Sequence, residues 1–312
     1  MTLHAGYELR APTPGDLAVV ADVFVAVDTG EAGVVVLDAD LLRDEWSRAG
    51  FELASDAWVA IDRDGAVVGY MQTMLEEPNV ECWGAVHPGH RGRGIGSALL
   101  DRAERRASEL MAGLPSPRFR FVIDGSDHGA EELVQSRGLR LAHHFWHMQI
   151  DLTGPVEPGA APDGVEISEV HPASDLPAVH AVLAEAFVDH WDYNSEPFDR
   201  WVEEHVDVAR FDPTLWLLAR EAGEPVAALT GRVQGDRGWV GSLGVRAPWR
   251  GRGIGAALLR RSFAAFSRRG LRRVVLGVDA ENATGATALY EREGMRVVQR
   301  WDVWERGGGG AP

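Results

Sequence analysis

No lysine occurs anywhere in the 312-residue chain, so all 31 positive side chains are arginine. That excludes a Walker-type phosphate loop, which needs a lysine beside its glycines, and any lysine Schiff-base chemistry. A single cysteine, Cys82, excludes internal disulfides, cysteine-rich zinc sites and a redox pair, and fits a reducing compartment. No run of about 18 apolar residues is present, and the opening residues show no basic stretch leading into an apolar one. Neither membrane insertion nor export is therefore expected, and a cytoplasmic location is. The formal charge of −16 opposes a nucleic-acid surface, whose footprint is basic.

What is present begins with length: 312 residues suit two domains of about 150 each, both large enough to bury a core. The stretch Gly244 to Leu259 reads as a strand end, a glycine turn and a helix start. Gly251, Gly253 and Gly255 leave backbone N–H groups without a Cβ screen at the positive end of a helix, and Arg250 and Arg252 add charge. This is a cradle for a pyrophosphate. A near copy stands at Gly84 to Leu100, where Arg91, Gly92, Arg93, Gly94, Ile95 and Gly96 match Arg250 to Gly255 residue for residue, 159 positions earlier. A duplicated domain accounts for the repeat.

Around the two loops the apolar spacing predicts parallel element orders. In the first half these are a strand at 7–10, a helix capped at Thr13 to Asp16, helical segments over 34–37 and 41–46, and a meander of strands over 56–62, 66–75 and 79–86. The helix behind the loop, a strand at 119–123, a helix at 131–137 and a closing hairpin over 139–152 complete it. Residues 154–164, with three prolines and no apolar period, read as a linker. The second half repeats the plan: a strand at 165–170, helices capped at Ser174 and over 198–208, strands at 215–220, 225–233 and 239–245, then 273–278, a helix at 284–293 stopped by Gly294, and a closing strand at 297–304. The expected domains are 1–153 and 165–306, with a disordered tail at 307–312.

Arg-x-x-Gly-x-Gly at a strand-to-helix junction resembles the acyl-CoA signature of the GNAT superfamily of N-acetyltransferases, and both copies carry it. Val278 to Asn282 followed by Ala288 to Met295 resembles that family's later strand and helix. The tandem arrangement, with Phe211-Asp212-Pro213 leading into Trp216 to Ala219, is similar to the mycothiol synthase group within it. The resemblance implies two tandem α/β domains with mixed, mainly antiparallel, splayed sheets flanked by helices. It implies an acetyl-CoA or other short acyl-CoA cofactor, with backbone hydrogen bonds from Leu243 and Val245. The loop Arg250, Gly251, Arg252, Gly253, Ile254, Gly255 and Ala256 would hold the phosphates, and Asn282 would contact the cofactor or cap a helix. Val86, Arg91, Gly92, Arg93, Gly94, Gly96 and Ser97 are the corresponding first-repeat residues. A Rossmann reading of Gly251-x-Gly253-x-x-Ala256 is opposed by Ser97 in the copy and by the lack of a suitably placed acid.

For catalysis the resemblance points to Tyr290 as the acid that protonates a leaving thiolate, since a phenol of pKa about 10 can hand over a proton. Aligning Gly138 with Gly294 sets Val134 opposite Tyr290, so the first repeat keeps the loop and lacks the acid. Turnover is therefore expected in the C-terminal domain. The base stays unassigned among Asp189, Asp192 and Glu196; Glu81 lies on the right strand only in the first repeat. His190, Trp191, Asp192 and Tyr193 mix rings and carboxylates and are expected to bind a cationic amine. His143, His144 and His147 form a histidine cluster lacking a nearby cysteine, and no metal is expected. The expected partners are a small-molecule amine, either like a mycothiol precursor or like an aminoglycoside or peptide antibiotic, and, in assembly, nothing beyond a monomer or homodimer. Two readings stay open beside small-molecule acetylation: a non-catalytic acyl-CoA sensor and a protein N-acetyltransferase.

Overall fold

The computed structural model describes residues 3–31, 37–194, 196–206, 211–282 and 284–307. The expectations for 34–36, 207–208 and 308–312 fall outside them. The elements run in chain order as β1 (Tyr7–Arg10), α1 (Leu17–Glu31), α2 (Ala39–Ser47), α3 (Leu53–Asp56), β2 (Ala57–Asp62), β3 (Val67–Glu76), β4 (Asn79–Val86), α4 (Ile95–Leu110), β5 (Arg118–Asp124), α5 (His128–Ser136) and β6 (Arg140–Asp151). They continue as β7 (Val165–Glu169), α6 (Pro172–Ala186), α7 (Phe198–His205), β8 (Leu217–Glu221), β9 (Glu224–Gln234), β10 (Arg237–Val245), α8 (Ile254–Arg268), β11 (Arg273–Asp279), α9 (Ala286–Arg292) and β12 (Arg296–Gly307). Single 3₁₀ turns precede α1, β8 and both loop helices.

Two compact units result: Met1–Phe145 with Gln299–Pro312, and Trp146–Val298. The first has strand order β1-β2-β3-β4-β5-β12, antiparallel except for the parallel β4/β5 pair. The second has the order β7-β8-β9-β10-β11-β6, with β10/β11 its parallel pair. Period-2 alternation gives the first sheet two apolar faces. Met71, Val80 and Cys82 pack with Leu99, Ala103 and Ala107 of α4, while Tyr70 and Met74 pack with Val20, Phe24 and Leu42 from α1 and α2. In the second unit α8 buries Ile254, Leu258 and Phe263 in the core together with Val179, Val182 and Leu183 of α6. No helix among the described residues is long and apolar enough to cross a membrane.

Three expectations need correction. The division at 1–153 and 165–306 does not describe the compact units, because the two closing strands are exchanged. Trp301 to Gly307 pair with Asp124 to Arg118 of β5, and Trp304 is buried beside Phe119 and Phe121 in the first unit's core. Met148, Trp146 and Ile150 of β6 pack instead in the core of the second unit. Residues 139–152 form one continuous strand rather than a hairpin, as no turn residue interrupts Arg140–Asp151. Finally, α6 starts at Pro172 instead of after Ser174. Proline at the first helical position pre-sets φ, and the Asp175 carboxylate accepts the His171 N–H at 2.9 Å, satisfying one otherwise unpaired donor.

Strand exchange makes two predictions. A chain ending at Val298 will keep the Trp146–Val298 unit protected in limited proteolysis while the first unit, missing the partner of β5, is cut early; equal protection of both would contradict the exchange. Trp304→Ala should cost the first unit about 3–5 kcal/mol, and hydrogen exchange should report the loss in β5 rather than in β11.

Candidate active site

The second unit's cleft is built by the way β10 leaves its neighbour. Parallel pairing joins Gly238, Trp239 and Val240 to Val274, Val275 and Leu276 and then stops, although β10 continues to Val245 and β11 to Asp279. On its other side β10 stays paired with β9 through Val245, past a bulge between Val240 and Ser242 where the Ser242 N–H donates to Thr230 Oγ1 at 2.9 Å. Arg246 N–H donates to the Val226 carbonyl. By strand alternation Leu243 and Val245 therefore turn their backbone groups away from β9, toward the parted side. The same parting occurs in the first unit, where β4/β5 pairing covers only Val80, Cys82 and the residue between.

The glycine loop closes one end of this gap. Gly251 and Gly253 sit at φ +75° and +82°, the left-handed region that favours glycine, and Gly253 is the N-cap of α8 without a side-chain cap. The first N–H groups of α8, beginning at Ile254, Gly255 and Ala256, are the orphan donors that an anion can satisfy. Gly92 and Gly94 repeat the geometry at +74° and +79°, ahead of Ile95, Gly96 and Ser97.

The arginines are engaged otherwise than the motif alone suggests. Arg250 donates from Nε to the Val245 carbonyl at 3.0 Å and from a terminal nitrogen to the Ala186 carbonyl at 3.2 Å, tying the loop to β10 and to the end of α6. Arg252 forms a two-point ion pair with the half-buried Glu221, which also accepts from Trp249 Nε1 at 2.7 Å. That pairing holds Glu221 below the ordinary carboxylate range. In the copy, Arg91 reaches Val86 and pairs with Asp127 at 3.1 Å, while Arg93 contacts the Tyr7 hydroxyl. Anion contact in this arrangement falls chiefly to backbone N–H groups.

Leu289 sets the place of α9. Its Cδ2 lies 3.2 Å from where a Gly255 Cβ would stand, and Leu133 stands 3.3 Å from the same point at Gly96. The repeats thus superpose Leu133 on Leu289 and therefore Val134 on Tyr290, as the alignment expects. Tyr290 is 6% exposed and packs in the core cluster of its unit. Among the described residues its hydroxyl has no hydrogen-bond partner, and burial pushes its pKa up to about 12. The group is a stored proton at any ordinary pH.

Of the acceptor-loop residues, the structure draws one to the cofactor side. His190 accepts at Nε2 from the Asn282 side-chain nitrogen at 3.2 Å, while Asn282 Oδ1 accepts the Thr284 N–H at 2.8 Å. The Thr284 bond fixes the amide orientation, which leaves the His190 proton on Nδ1. Burial lowers the His190 pKa, opposed by the Asp279 carboxylate and reinforced by Arg250, so the ring is neutral. It also packs on Phe187 at 4.4 Å between ring centres. Nothing in the sequence pattern announces this link between positions 92 residues apart. Trp191 and Tyr193 are half-buried in the same loop and Asp192 is exposed at φ +55°. Asp189 is exposed, and Glu196 lies 3.5 Å from Arg200.

The remaining candidates are structural. His144 pairs with Asp302 at 2.7 Å, His143 packs on Phe145 and His147 meets Trp239 edge-on. Cys82 is fully buried, and burial raises its thiol far from the reactive range.

Residues 176–295 match the acetyltransferase (GNAT) family and residues 54–133 an acetyltransferase (GNAT) domain. The mycothiol acetyltransferase of Thermobispora bispora is 34% identical over 229 residues, covering 70% of this chain and 72% of that protein. The mycothiol acetyltransferase of Streptomyces coelicolor is 33% identical over 249 residues, 78% of this chain and 76% of that one. A crystal structure of a GCN5-related N-acetyltransferase from Sphaerobacter thermophilus superposes at TM-score 0.86 with 31% identity, over 100% of this chain and 98% of the other. A tandem GNAT protein from the clavulanic acid biosynthesis pathway shares the fold at TM-score 0.75 and 18% identity, over 98% of this chain and 100% of that one. Two loops of one design, two parted sheets and these likenesses lead to one conclusion: the chain belongs to the GNAT superfamily, as an N-acetyltransferase with two domains in tandem.

Proposed function

We propose that the C-terminal unit transfers an acetyl group from acetyl-CoA to the amine of a small molecule resembling a mycothiol precursor. The observation that carries this reading is the gap between β10 and β11 with the glycine loop at its end; Tyr290, buried in the same unit's core, is the acid we assign to it. The names of the curated relatives support the acceptor class. An acyl-CoA suits the residues present: Leu243 and Val245 would meet the pantetheine amides, and the N–H groups from Gly251 to Ala256 would meet the pyrophosphate. Bound there, it supplies an activated thioester carbonyl.

The chain's own part is positioning and proton handling. The acceptor amine attacks the thioester carbon and the C–S bond breaks; Tyr290 donates a hydrogen bond and then its proton to the leaving sulfur, and its phenolate takes back the proton that the acylated nitrogen sheds. With a pKa of about 12, above the usual thiol value near 8.5, the phenol is the weaker acid, so it stabilises the developing thiolate by a hydrogen bond and completes the transfer only as its phenolate regains the nitrogen's proton. His190 and Asn282 hold each other at the mouth of the β11–α9 connection, with Trp191 and Tyr193 available as walls for a cationic acceptor. The N-terminal unit has the loop and the parted strands but Val134 in place of the phenol, so we assign it cofactor binding without efficient turnover.

Tyr290→Phe should lower kcat by about 10²-fold or more while leaving the KM for acetyl-CoA nearly unchanged; an unaltered kcat in a thiol-release assay would dismiss the phenol as acid. Because the active form is the protonated one and burial raises its pKa from 10 to about 12, ionisation of Tyr290 should cause no alkaline fall in kcat below about pH 10. Gly253→Val, which forces a branched side chain into φ +82°, should raise the KM for acetyl-CoA by at least about tenfold, whereas Gly94→Val should leave acceptor turnover largely intact.

A further inference from the structure

The two glycine loops differ in what their leading arginine does. In both units the Nε of that arginine donates to the carbonyl at the end of the preceding strand, Arg91 to Val86 at 3.4 Å and Arg250 to Val245 at 3.0 Å. Their terminal nitrogens then take different partners. Arg250 donates to the Ala186 carbonyl at 3.2 Å, whereas Arg91 pairs with the Asp127 carboxylate at 3.1 Å. One partner is neutral and the other is charged.

Asp127 occupies the place of Asn282, and the hydrogen bonds of the turn establish the match. The Asp124 carboxylate accepts the Ser126 N–H at 2.7 Å and its carbonyl accepts the Asp127 N–H at 3.0 Å. In the second unit the Asp279 carboxylate accepts the Glu281 N–H at 2.8 Å and its carbonyl accepts the Asn282 N–H at 3.2 Å. The first aspartate of the turn is common to both units, so only its last residue distinguishes them. Asn282 turns its amide to His190, while Asp127 reaches Arg91 with one oxygen and caps α5 with the other, accepting the Ala130 N–H at 2.9 Å. Arg91 follows β4 and Asp127 follows β5, the strands whose pairing ends at Cys82. Their half-buried ion pair therefore bridges the two sides of the gap just ahead of α4. The fold does not require this tie, since β10 and β11 part in the same way with Arg250 and Asn282 each engaged elsewhere.

We infer that the residue at 127 in one unit and 282 in the other sets how strongly each cleft holds acyl-CoA: Asn282 leaves the second cleft open, and Asp127 restrains the first. The inference rests on the reading that both clefts take this cofactor. Asp127 acts in two ways. It engages a guanidinium whose counterpart, Arg250, meets only carbonyls among the described residues. It also sets a negative charge at the entrance of a site whose ligand is a polyanion. A pyrophosphate approaching the N–H groups at the head of α4 must break the pair or bear the repulsion of its carboxylate, and a half-buried pair is screened by salt less than an exposed one. The clefts are consequently unequal, the second a tight working site and the first filled only at higher cofactor concentration. A neutral side chain of the same shape is enough to lift the restraint, because asparagine caps a helix as well as aspartate does.

Calorimetric titration of the full chain with free coenzyme A at low salt counts the sites and their affinities without any acetyl transfer. The parent should show one tight site and a second at least about tenfold weaker. Asp127→Asn and Asp127→Ser both keep a capping oxygen and lose the charge. Each should tighten the weaker site by at least about fivefold and leave the tighter one as it was. Adding Gly94→Val, which strains the first loop at φ +79°, to Asp127→Asn should abolish the gained site and so assign it to the first cleft. Asn282→Asp, which recreates the first unit's pairing beside Arg250, should weaken the tight site by at least about tenfold. Equal affinities in the parent, no gain in either Asp127 variant, a gain that survives Gly94→Val, or no loss in Asn282→Asp would each overturn the inference while leaving acetyl transfer in the second unit standing. Absence of binding heat from the parent and every variant would overturn the underlying reading as well.

Discussion

The separation of β10 from β11 governs everything else in the second unit. Three residue pairs hold these strands together, and beyond them each carries backbone donors and acceptors that no neighbouring strand satisfies. Buried peptide groups of this kind need partners. A fold that parts two strands has in effect exchanged internal hydrogen bonds for the capacity to bind something amide-like. The left-handed glycines at the head of α8 extend the same economy, since a helix start also presents N–H groups without acceptors. Arg250, by gripping Val245 and Ala186, keeps β10, the loop and the end of α6 in fixed relation so that this unpaired backbone is held ready.

The repeats have diverged where chemistry is concerned and stayed alike where backbone is concerned. Gly96 and Gly255 meet corresponding leucines, and both loops adopt the same φ values. Yet Val134 stands where the second unit has Tyr290, and by strand pairing Trp239 and Ser242 stand where the first unit has Glu81 and Trp83. Each unit has therefore kept a different half of the equipment that acid–base chemistry on an amine requires: one a buried phenol, the other a half-buried carboxylate of raised pKa.

Much of this was legible in residue order. The loops, the meanders and the role of Gly294 as a stop follow from glycine placement and apolar period, which are local signals, whereas the parting of the strands was implied by the family resemblance alone. Ownership of the closing strands was not. β6 and β12 begin at corresponding positions, Arg140 and Arg296, and have equal lengths, so either could complete either sheet by pattern alone; burial of Trp304 beside Phe119 and of Met148 beside Val274 decides it. The Asn282–His190 contact was hidden for a related reason, since it joins two loops far apart in sequence and has no periodicity to betray it. The arginines of the motif misled in one respect: charge in a sequence does not say whether a guanidinium faces a ligand, a carbonyl or Glu221.

The exchanged strands also bear on how the molecule comes into being. Domains made on the ribosome ordinarily fold from the N-terminus as they emerge, at about 5–20 residues per second. Here β5 has its own antiparallel partner encoded more than 150 residues beyond the end of the first unit's opening segment at Phe145. For about 10–30 s of synthesis the nascent first sheet carries an open edge beside Phe119 and Phe121, while β6 has already been committed to the half that follows. The two units cannot mature in series; they finish together, when the last strand arrives.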